Sequence, residues 1–283
     1  MFKRSFILIV LALALLLSAC ATPTPAAAPP AAPAAPANPV LRMSTTTSVN
    51  DSGLMAYLQP VFEADTGYKL EITSAGSGAA IEKGRTGDAD ILLVHSKAAE
   101  EEFTGEGFDE VRIPFMTNYF IVVGPEADPA GVKTAKTAAE AFKKIAEASA
   151  PFITRGDKSG TNTKELAIWK AAGVDPEGQA WYTNIGAGMG QALTVASEQQ
   201  AYTLSDKATF LAAKTDLALL LETADDMLNT YSVIAVGPKR FADTNAEGAK
   251  AFIDWLATDK ARDMIAKFGV EQYGQALFYN MDK

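Results

Sequence analysis

The stretch NYFIVVGP, residues 118–125, has a close counterpart later in the chain in YSVIAVGP, residues 231–238. Each is an apolar segment that contains an aromatic residue near its start and ends in Gly-Pro, which is typical of a buried strand that stops at a turn. We interpret the two segments as strands through which the chain enters and leaves a second lobe. Two such crossings form a hinge, and a cleft between two lobes is a usual place for a small ligand.

Strand and helix patterns alternate on both sides of these two segments. Strand patterns at 68–73 and 88–95 are separated by a short helix pattern from Ala79 to Gly84, and an apolar helix pattern runs from Leu54 to Gly67. This order predicts the α/β fold class, with two doubly wound lobes joined by a two-strand hinge.

We assign residues 40–118 together with 232–283 to lobe I, and residues 119–231 to lobe II. With 283 residues and 48% hydrophobic composition, the chain is long enough for two lobes with their own cores. The alternative is a single large α/β domain in which the two similar strands are only neighbours. Within lobe II, helices are predicted over 137–148, 159–172 and 191–200.

The first nineteen residues, 1–19, have the pattern of a secretory signal peptide. Lys3 and Arg4 precede a short apolar segment that is too short to span a bilayer. Cys20 follows directly and is the only cysteine, so an internal disulfide is excluded. The site resembles the lipobox of bacterial lipoproteins, which implies a lipid on Cys20; an ordinary cleavage site that includes a cysteine is the alternative.

Residues 20–39 are dominated by Ala and Pro and predict an extended tether between the lipid and the folded body. Loss of Lys3 and Arg4 with the signal peptide moves the formal net charge from −9 to −11. This charge argues against nucleic acid as a partner and against an electrostatic grip on a membrane. We therefore expect a monomer that is extracytoplasmic and attached to the membrane only through Cys20.

A run of hydroxyl side chains, STTTS at residues 44–48, lies between the first strand and the helix that follows it. The first turn of a helix has N–H groups without intrahelical partners, and its dipole favours negative charge. Hydroxyls at this position predict an anion site. The alternative is helix capping, but capping needs one such residue, and Asp51 or Ser52 could supply it.

Two other segments repeat this pattern of a strand, a small polar turn and a helix. In SAGSG, residues 74–78, Ser77 precedes a short helix; in TRGDKSGT, residues 154–161, Arg155 is followed by Ser159, Gly160 and Thr161 at a helix start. Arg can donate two charge-assisted hydrogen bonds to an oxyanion, and Asp157 is placed to orient it or to cap the helix. A surface turn, or an adhesion tripeptide formed by residues 155–157, is the alternative.

The segments TTTSVNDSGLM, GDADILLVH, TRGDKSGT and AYTLSDKATFL, in this order and spacing, resemble the tungstate-binding proteins of bacterial ABC transporters. The resemblance covers essentially all of residues 40–283. It implies a type II periplasmic-binding-protein fold that closes on a bare tungstate dianion and delivers it to a permease and an ATPase. Thr154 stands where Ser is common in that family, and Asn162 where His is common.

The resemblance implies that Thr46 with its neighbours, Arg155 and Thr161 hold the anion oxygens. Thr203 or Tyr202 could add a further ligand group late in lobe II; the alternative is a buried turn with Tyr202 in the core. One histidine and one cysteine argue against a transition-metal site, so no cofactor and no metal other than the oxyanion itself are expected. The predicted ligand-binding residues are Thr46, Thr47, Ser48, Ser77, Arg155, Ser159, Gly160, Thr161 and Thr203.

Other functions remain open at this point. Phosphate is the main competing ligand, because the Arg-x-Asp-x-Ser-Gly-Thr spacing also resembles phosphate-binding proteins. Phosphate keeps a proton at neutral pH and is well served by a carboxylate acceptor, whereas tungstate and molybdate are fully deprotonated. An enzyme that uses the same cleft lacks an evident nucleophile or base, and a surface adhesin would use residues 155–157. The sequence does not separate tungstate from molybdate.

Overall fold

The computed structural model of the protein describes residues 36–222 and 226–281. The predicted signal peptide, Cys20 and most of the predicted tether lie outside these residues. Among the helices of the described residues, none combines the length and the hydropathy that a membrane crossing requires.

The first part of the body alternates strands and helices. The hydroxyl run ends β1 and enters a five-residue helix, α1, which was not predicted, and α2 ends where Gly67 adopts a left-handed conformation (φ 78°). The elements are β1 (Val40–Thr46), α1 (Thr47–Asp51), α2 (Leu54–Thr66), β2 (Lys69–Ala75), α3 (Ser77–Thr86), β3 (Ile91–Val94), α4 (Lys97–Gly105) and β4 (Asp109–Gly124).

The middle part has shorter strands. A 3-10 turn (Val132–Thr134) comes first, followed by α5 (Ala138–Glu147), β5 (Phe152–Thr154), α6 (Gly160–Ala171), β6 (Tyr182–Asn184), α7 (Met189–Glu198), β7 (Thr203–Asp206), α8 (Lys207–Ala213) and β8 (Ala218–Leu221). The chain then returns through β9 (Leu228–Val236) and finishes with α9 (Ala246–Leu256), α10 (Asp259–Lys267), α11 (Val270–Tyr273) and β10 (Tyr279–Asn280).

Strand β4 is paired along its whole length, but with different partners in its two halves. Residues 109–119 pair antiparallel with β9, and residues 120–124 pair with β7 and β8. The strand order is β10-β4-β9-β3-β1-β2, with β1 parallel to both β2 and β3, while β5 and β6 form a separate parallel pair. The change of partner within β4 falls beside the predicted lobe boundary; the lobe division itself stays a prediction that this pairing supports.

Alternate residues of the strands face opposite sides of the sheet, so apolar cores form on both of its faces. In β3, Ile91 and Leu93 pack with Phe62 and Phe252, whereas Leu92 and Val94 pack with Phe103 on the other face. The period of two in strand side chains explains this division. The far half of β4 repeats it, because one alternate set joins the core around Trp169 and the other joins the core around Met189.

The sequence misplaced some boundaries for identifiable reasons. The first crossing strand begins at Asp109 rather than near residue 118, because its largely exposed first half is held by pairing with β9. Helix α7 begins at Met189, two residues before the predicted start, since Gly188 is its N-cap. Neither Asp51 nor Ser52 is the N-cap of α2, which is Gly53 in a left-handed conformation (φ 83°).

Gly124 at the end of β4 gives a direct test of this packing. A Cβ atom there would lie 2.5 Å from Tyr202 Cδ1 and 2.9 Å from Leu220 Cδ1. Because overpacking of a filled core is destabilising, we expect Gly124→Ala to lower the free energy of unfolding by about 1–3 kcal/mol. Urea denaturation would measure the change.

Gly105 supplies the matched control, since a Cβ atom there would have no neighbour within 4 Å. Gly105→Ala should change the free energy of unfolding by less than about 0.5 kcal/mol. Equal stability of the two variants would contradict the packing described for the end of β4.

Candidate functional site

Arg155 follows β5 directly, and its guanidinium is buried, with 2% of the residue exposed. Its Nη2 donates to Thr47 Oγ1 over 3.1 Å, and its Nη1 lies 3.5 Å from Thr161 Oγ1. Its Nε donates to the carbonyl of Ala187 over 3.3 Å. A single permanent charge therefore joins hydroxyls from β1–α1 and from α6.

Asp157 holds this guanidinium in place. Its Oδ2 accepts from Arg155 Nη2 over 2.6 Å, and its Oδ1 accepts from the backbone N–H of Ser159 over 3.1 Å. Both carboxylate oxygens thus have donors within their own loop. The predicted role of Asp157, which was to orient Arg155 or to cap the helix, is confirmed.

Ser77 and Gly160 meet across the two helices that they begin. The backbone N–H of Gly160 donates to Ser77 Oγ over 3.2 Å, and both residues are fully buried or nearly so. A Cβ atom at Gly160 would lie 3.0 Å from the His95 ring and 3.1 Å from Ser77 Oγ. The close approach of these two segments therefore depends on glycine at position 160.

Three longer helices begin around Arg155 and Thr47. Their N-caps are Gly76 for α3, Ser159 for α6 and Gly188 for α7. Gly76 would place a Cβ atom 3.2 Å from Asp157, and Gly188 would place one 3.6 Å from Thr47. The partly positive beginnings of these helices therefore point to the same small region as the guanidinium.

The hydroxyl run divides between the sheet and this region. Thr45 Oγ1 donates to the carbonyl of Leu93 over 2.8 Å and is thus bound to the neighbouring strand. Thr46 Oγ1 and Ser48 Oγ lie 3.1 Å apart, and Thr47 meets Arg155. The structure therefore brings together Thr46, Thr47, Ser48, Ser77, Arg155, Gly160 and Thr161 of the predicted set.

Two other predicted residues use their hydroxyls locally. Ser159 Oγ accepts the backbone N–H of Asn162 over 3.2 Å and caps α6. Thr203 Oγ1 donates to the carbonyl of Ile153 over 2.8 Å. Tyr202 is fully buried, with its hydroxyl bonded to Asp128 over 3.0 Å, so the alternative of a core role for Tyr202 is confirmed.

Thr154 and Asn162, the two departures from the family pattern, contact each other. Asn162 Nδ2 donates to Thr154 Oγ1 over 3.2 Å, and that hydroxyl donates to Glu165 Oε2 over 2.6 Å. Glu165 Oε1 also accepts from Trp169 and Tyr182. Burial raises the pKa of Glu165 to about 7, against these hydrogen bonds. This network links β5, α6 and β6, next to the loop that carries Arg155.

His95 continues the hydroxyl run towards the crossing strands. Ser48 Oγ lies 3.1 Å from His95 Nε2, and His95 Nδ1 lies 2.9 Å from Asn229 Oδ1. Because Asn229 Oδ1 can only accept, the ring proton is on Nδ1 and Ser48 donates to Nε2. Burial lowers the pKa of His95 to about 4, so the ring is neutral at physiological pH.

The chain of hydrogen bonds then crosses strands β9 and β4. Asn229 of β9 donates through Nδ2 to Asn118 Oδ1 over 2.8 Å, and these two residues are paired in the sheet. Asn118 Nδ2 in turn lies 3.4 Å from Asp206 Oδ1. A continuous polar path therefore joins Ser48 to a carboxylate in the middle part of the chain.

Asp206 was not among the predicted site residues, although it lies within the segment AYTLSDKATFL. Its Oδ1 accepts the backbone N–H of Thr209 and caps α8, and Thr209 Oγ1 donates to the carbonyl of Ser48 over 3.3 Å. Burial raises the pKa of the Asp206 carboxyl, while the Thr209 hydrogen bonds and the Arg155 charge lower it. The sequence signal that could have identified Asp206 is an acidic residue between a strand and a helix, which is also the position of Asp157.

Other acidic residues lie at the edge of this region or are already bonded. Asp90 forms an ion pair with Arg42 over 2.6 Å, and Glu100 is buried and paired with Arg112 over 2.7 Å. Asp51 is exposed, and its Oδ2 would lie 3.6 Å from a Cβ atom at Gly190 in the first turn of α7. The region around Arg155 is thus rich in donors, and its acids are Asp157, Asp206 and, at its edge, Asp51.

Comparison with known proteins gives a consistent result. The model of the PBP superfamily domain matches residues 30–260. The tungstate-binding protein TupA of Peptoclostridium acidaminophilum is 47% identical over 240 residues, which cover 83% of this chain and 84% of that protein.

Two solved structures are similar over most of their length. The tungstate ABC transporter structure from Geobacter sulfurreducens has a TM-score of 0.75 at 45% identity, and covers 81% of this chain and 98% of its own. The tungstate-binding protein TupA from Desulfovibrio alaskensis G20 has a TM-score of 0.73 at 39% identity, and covers 87% and 100%. On the evidence of its fold, its site and these relatives, the chain belongs to the PBP superfamily, in the family that includes the TupA tungstate-binding proteins.

Proposed function

We propose that the protein is the extracytoplasmic solute-binding component of an ABC importer and that it binds tungstate or molybdate between its lobes. It would deliver the anion to a permease and an ATPase and would catalyse no reaction itself. The observation that carries this proposal is the buried Arg155 guanidinium, which meets Thr47 from one side and Thr161 from the other. The names of the relatives favour tungstate over phosphate.

The chemistry of this region suits a small dianion. Charge-assisted hydrogen bonds are roughly twice as strong as neutral ones, and water does not compete with them once the lobes have closed. The formal net charge of −9 repels an anion at long range, but salt screens that repulsion beyond about 8 Å. Binding would therefore depend on local donors rather than on the charge of the whole molecule.

The proposed ligand set keeps the predicted residues, with roles taken from their contacts. Arg155, Thr46, Thr47 and Thr161 would donate side-chain hydrogen bonds to the anion. Gly160 and Ser77 would close over the anion. Ser48 would donate its backbone N–H to the anion, because its hydroxyl donates to His95. Ser159 would act by starting α6, whereas the observed contact of Thr203 with Ile153 gives that residue no direct support.

We further propose that Cys20 carries a lipid and that residues 20–39 tether the body to the membrane surface as a monomer. The lone cysteine after a short apolar segment supports this arrangement. An enzyme or an adhesin is a weaker candidate, since residues 155–157 are tied into the interlobe contacts rather than presented as a free surface turn.

A titration with four anions tests the ligand. Tungstate, molybdate, phosphate and sulfate would be added in turn while the thermal unfolding of the protein is followed. Tungstate at about a hundred times its dissociation constant should stabilise the fold by about 2.7 kcal/mol. A clear shift with phosphate and none with tungstate or molybdate would overturn the substrate class.

Arg155→Ala tests the guanidinium. Loss of one charged hydrogen bond removes about 1.5–3 kcal/mol, so the tungstate dissociation constant should rise by about tenfold or more. Arg85→Ala is the matched control, because Arg85 lies on α3 but binds Glu106 on the surface. If isothermal calorimetry gave the same affinity for Arg155→Ala and Arg85→Ala, Arg155 would not belong to the site.

Gly160→Ala tests closure. Its methyl group would lie 3.0 Å from His95 and 3.1 Å from Ser77 Oγ, so it should hold the two helix beginnings apart and weaken tungstate binding by about tenfold. Gly78→Ala on the facing helix is the control, because its Cβ atom would meet only the carbonyl of Lys158 at 3.6 Å. Tungstate affinity and small-angle scattering would be measured on both variants, and wild-type closure in Gly160→Ala would contradict this role.

A further inference from the structure

Asp206 has an oxygen that the folded chain does not satisfy. The residue is fully buried, and its Oδ1 accepts from Thr209 and from Asn118. Its Oδ2 has no hydrogen-bond partner among the residues that the structure describes. A buried carboxylate oxygen without a donor is costly, and a proton on that oxygen removes most of the cost.

The groups around Asp206 make its charge sensitive to a bound anion. The positive charge of Arg155 acts on it, and it interacts electrostatically with the phenol group of Tyr231 on β9. His95 is linked to it by hydrogen bonds through Asn229 and Asn118, packs against Tyr231, and is neutral. On α8, the ammonium group of Lys207 is bound to Glu222 over 2.9 Å.

An oxyanion at Arg155 would change this balance. The two negative charges of the anion would offset the attraction between the guanidinium and an ionised Asp206. They would also repel that carboxylate directly, with little water between them to screen the charges. Like charges disfavour the ionised form of a carboxyl group. If anion binding raises the proton affinity of Asp206, protonation of Asp206 must strengthen anion binding by the same factor. Anion affinity then depends on pH.

We propose that Asp206 takes up a proton when the site binds a dianion, and that this residue makes oxyanion affinity fall as pH rises. The proposal rests on the function proposed above. The proton comes from the solvent and is placed on Oδ2, so that one carboxylate becomes one neutral carboxylic acid and the anion itself is unchanged. Asp206 thus sets affinity without contacting the ligand.

The sign of the effect follows directly. At low pH Asp206 is already neutral, so the dianion binds without the free-energy cost of protonating this residue. Between the pKa of Asp206 in the free protein and its higher pKa in the complex, each binding event must also take up a proton, so affinity declines by up to about tenfold per pH unit. Tungstate remains a dianion across neutral and weakly alkaline pH, so its own protonation does not produce this slope.

Calorimetric titration with tungstate between about pH 6 and about pH 8.5 tests the proposal. For the wild-type protein we expect the dissociation constant to rise by about tenfold or more over this range. In Asp206→Asn it should vary by less than about twofold, and this variant should bind tungstate more tightly than wild type at the alkaline end. Asn is as good an N-cap as Asp, so α8 should be retained; Asp206→Ser serves if Asp206→Asn does not fold.

Glu165 is another buried carboxyl group, and burial raises its pKa to about 7, so Glu165→Gln is the control. It should retain the wild-type slope, and a slope lost in Glu165→Gln but kept in Asp206→Asn would overturn the proposal. Binding enthalpies of wild type in buffers with different ionisation enthalpies should also show net proton uptake at alkaline pH. Zero uptake or release would contradict it.

Failure of the proposed function would look different. In that case wild type would not bind tungstate at any pH, whatever the behaviour of the variants. If instead wild type preferred phosphate and Asp206→Asn lost phosphate alone, Asp206 would accept a proton from the ligand, and the uptake proposal would be wrong.

Discussion

The burial of one guanidinium charge between segments that are far apart in the sequence organises this molecule. Arg155 is 2% exposed, and a charge in that position needs partners because removal from water is costly. Asp157 supplies the counter-charge from the same loop, while Thr47 and Thr161 bring hydroxyls from two different helices. Because only one carboxylate and two neutral hydroxyls contact it there, the guanidinium keeps the capacity to bind an anion.

Strand β4 pairs with β9 in one half and with β7 and β8 in the other. We propose that the lobes move relative to each other about the residues near 119, where the partner strand changes. Asn118 and Asn229 face each other across this pair and lie on the polar path from Ser48 to Asp206. The groups proposed to hold the anion are therefore bonded to the strands about which the lobes would move.

Much of the local arrangement could be predicted from the sequence. The segment 154–161 contains a strand end, an arginine, an aspartate and a helix start within eight residues, so their proximity follows from chain connectivity. Asp157 accordingly binds both Arg155 and the amide of Ser159, as the spacing predicts. The two Gly-Pro segments are strands that pair with each other, while their interpretation as crossings between two lobes stays a prediction.

What could not be predicted depends on contacts between distant segments. Asp206 meets Asn118 across 88 residues, and Thr209 meets Ser48 across 161. No local pattern marks those pairs, because their meeting depends on the register of β4 with β7 and β9. The role of Gly160 is similar, since nothing in Ser-Gly-Thr reveals that Ser77 and His95 leave no room for a methyl group.

A crystal structure of the protein with tungstate, with anomalous diffraction measured at a tungsten absorption edge, tests the central claim most directly. The result that this account predicts is one strong peak enclosed by Thr47, Arg155 and Thr161, beside the beginnings of α3, α6 and α7. A tungsten peak elsewhere, with Arg155 still bonded to Thr47 and no anion beside it, would contradict the account.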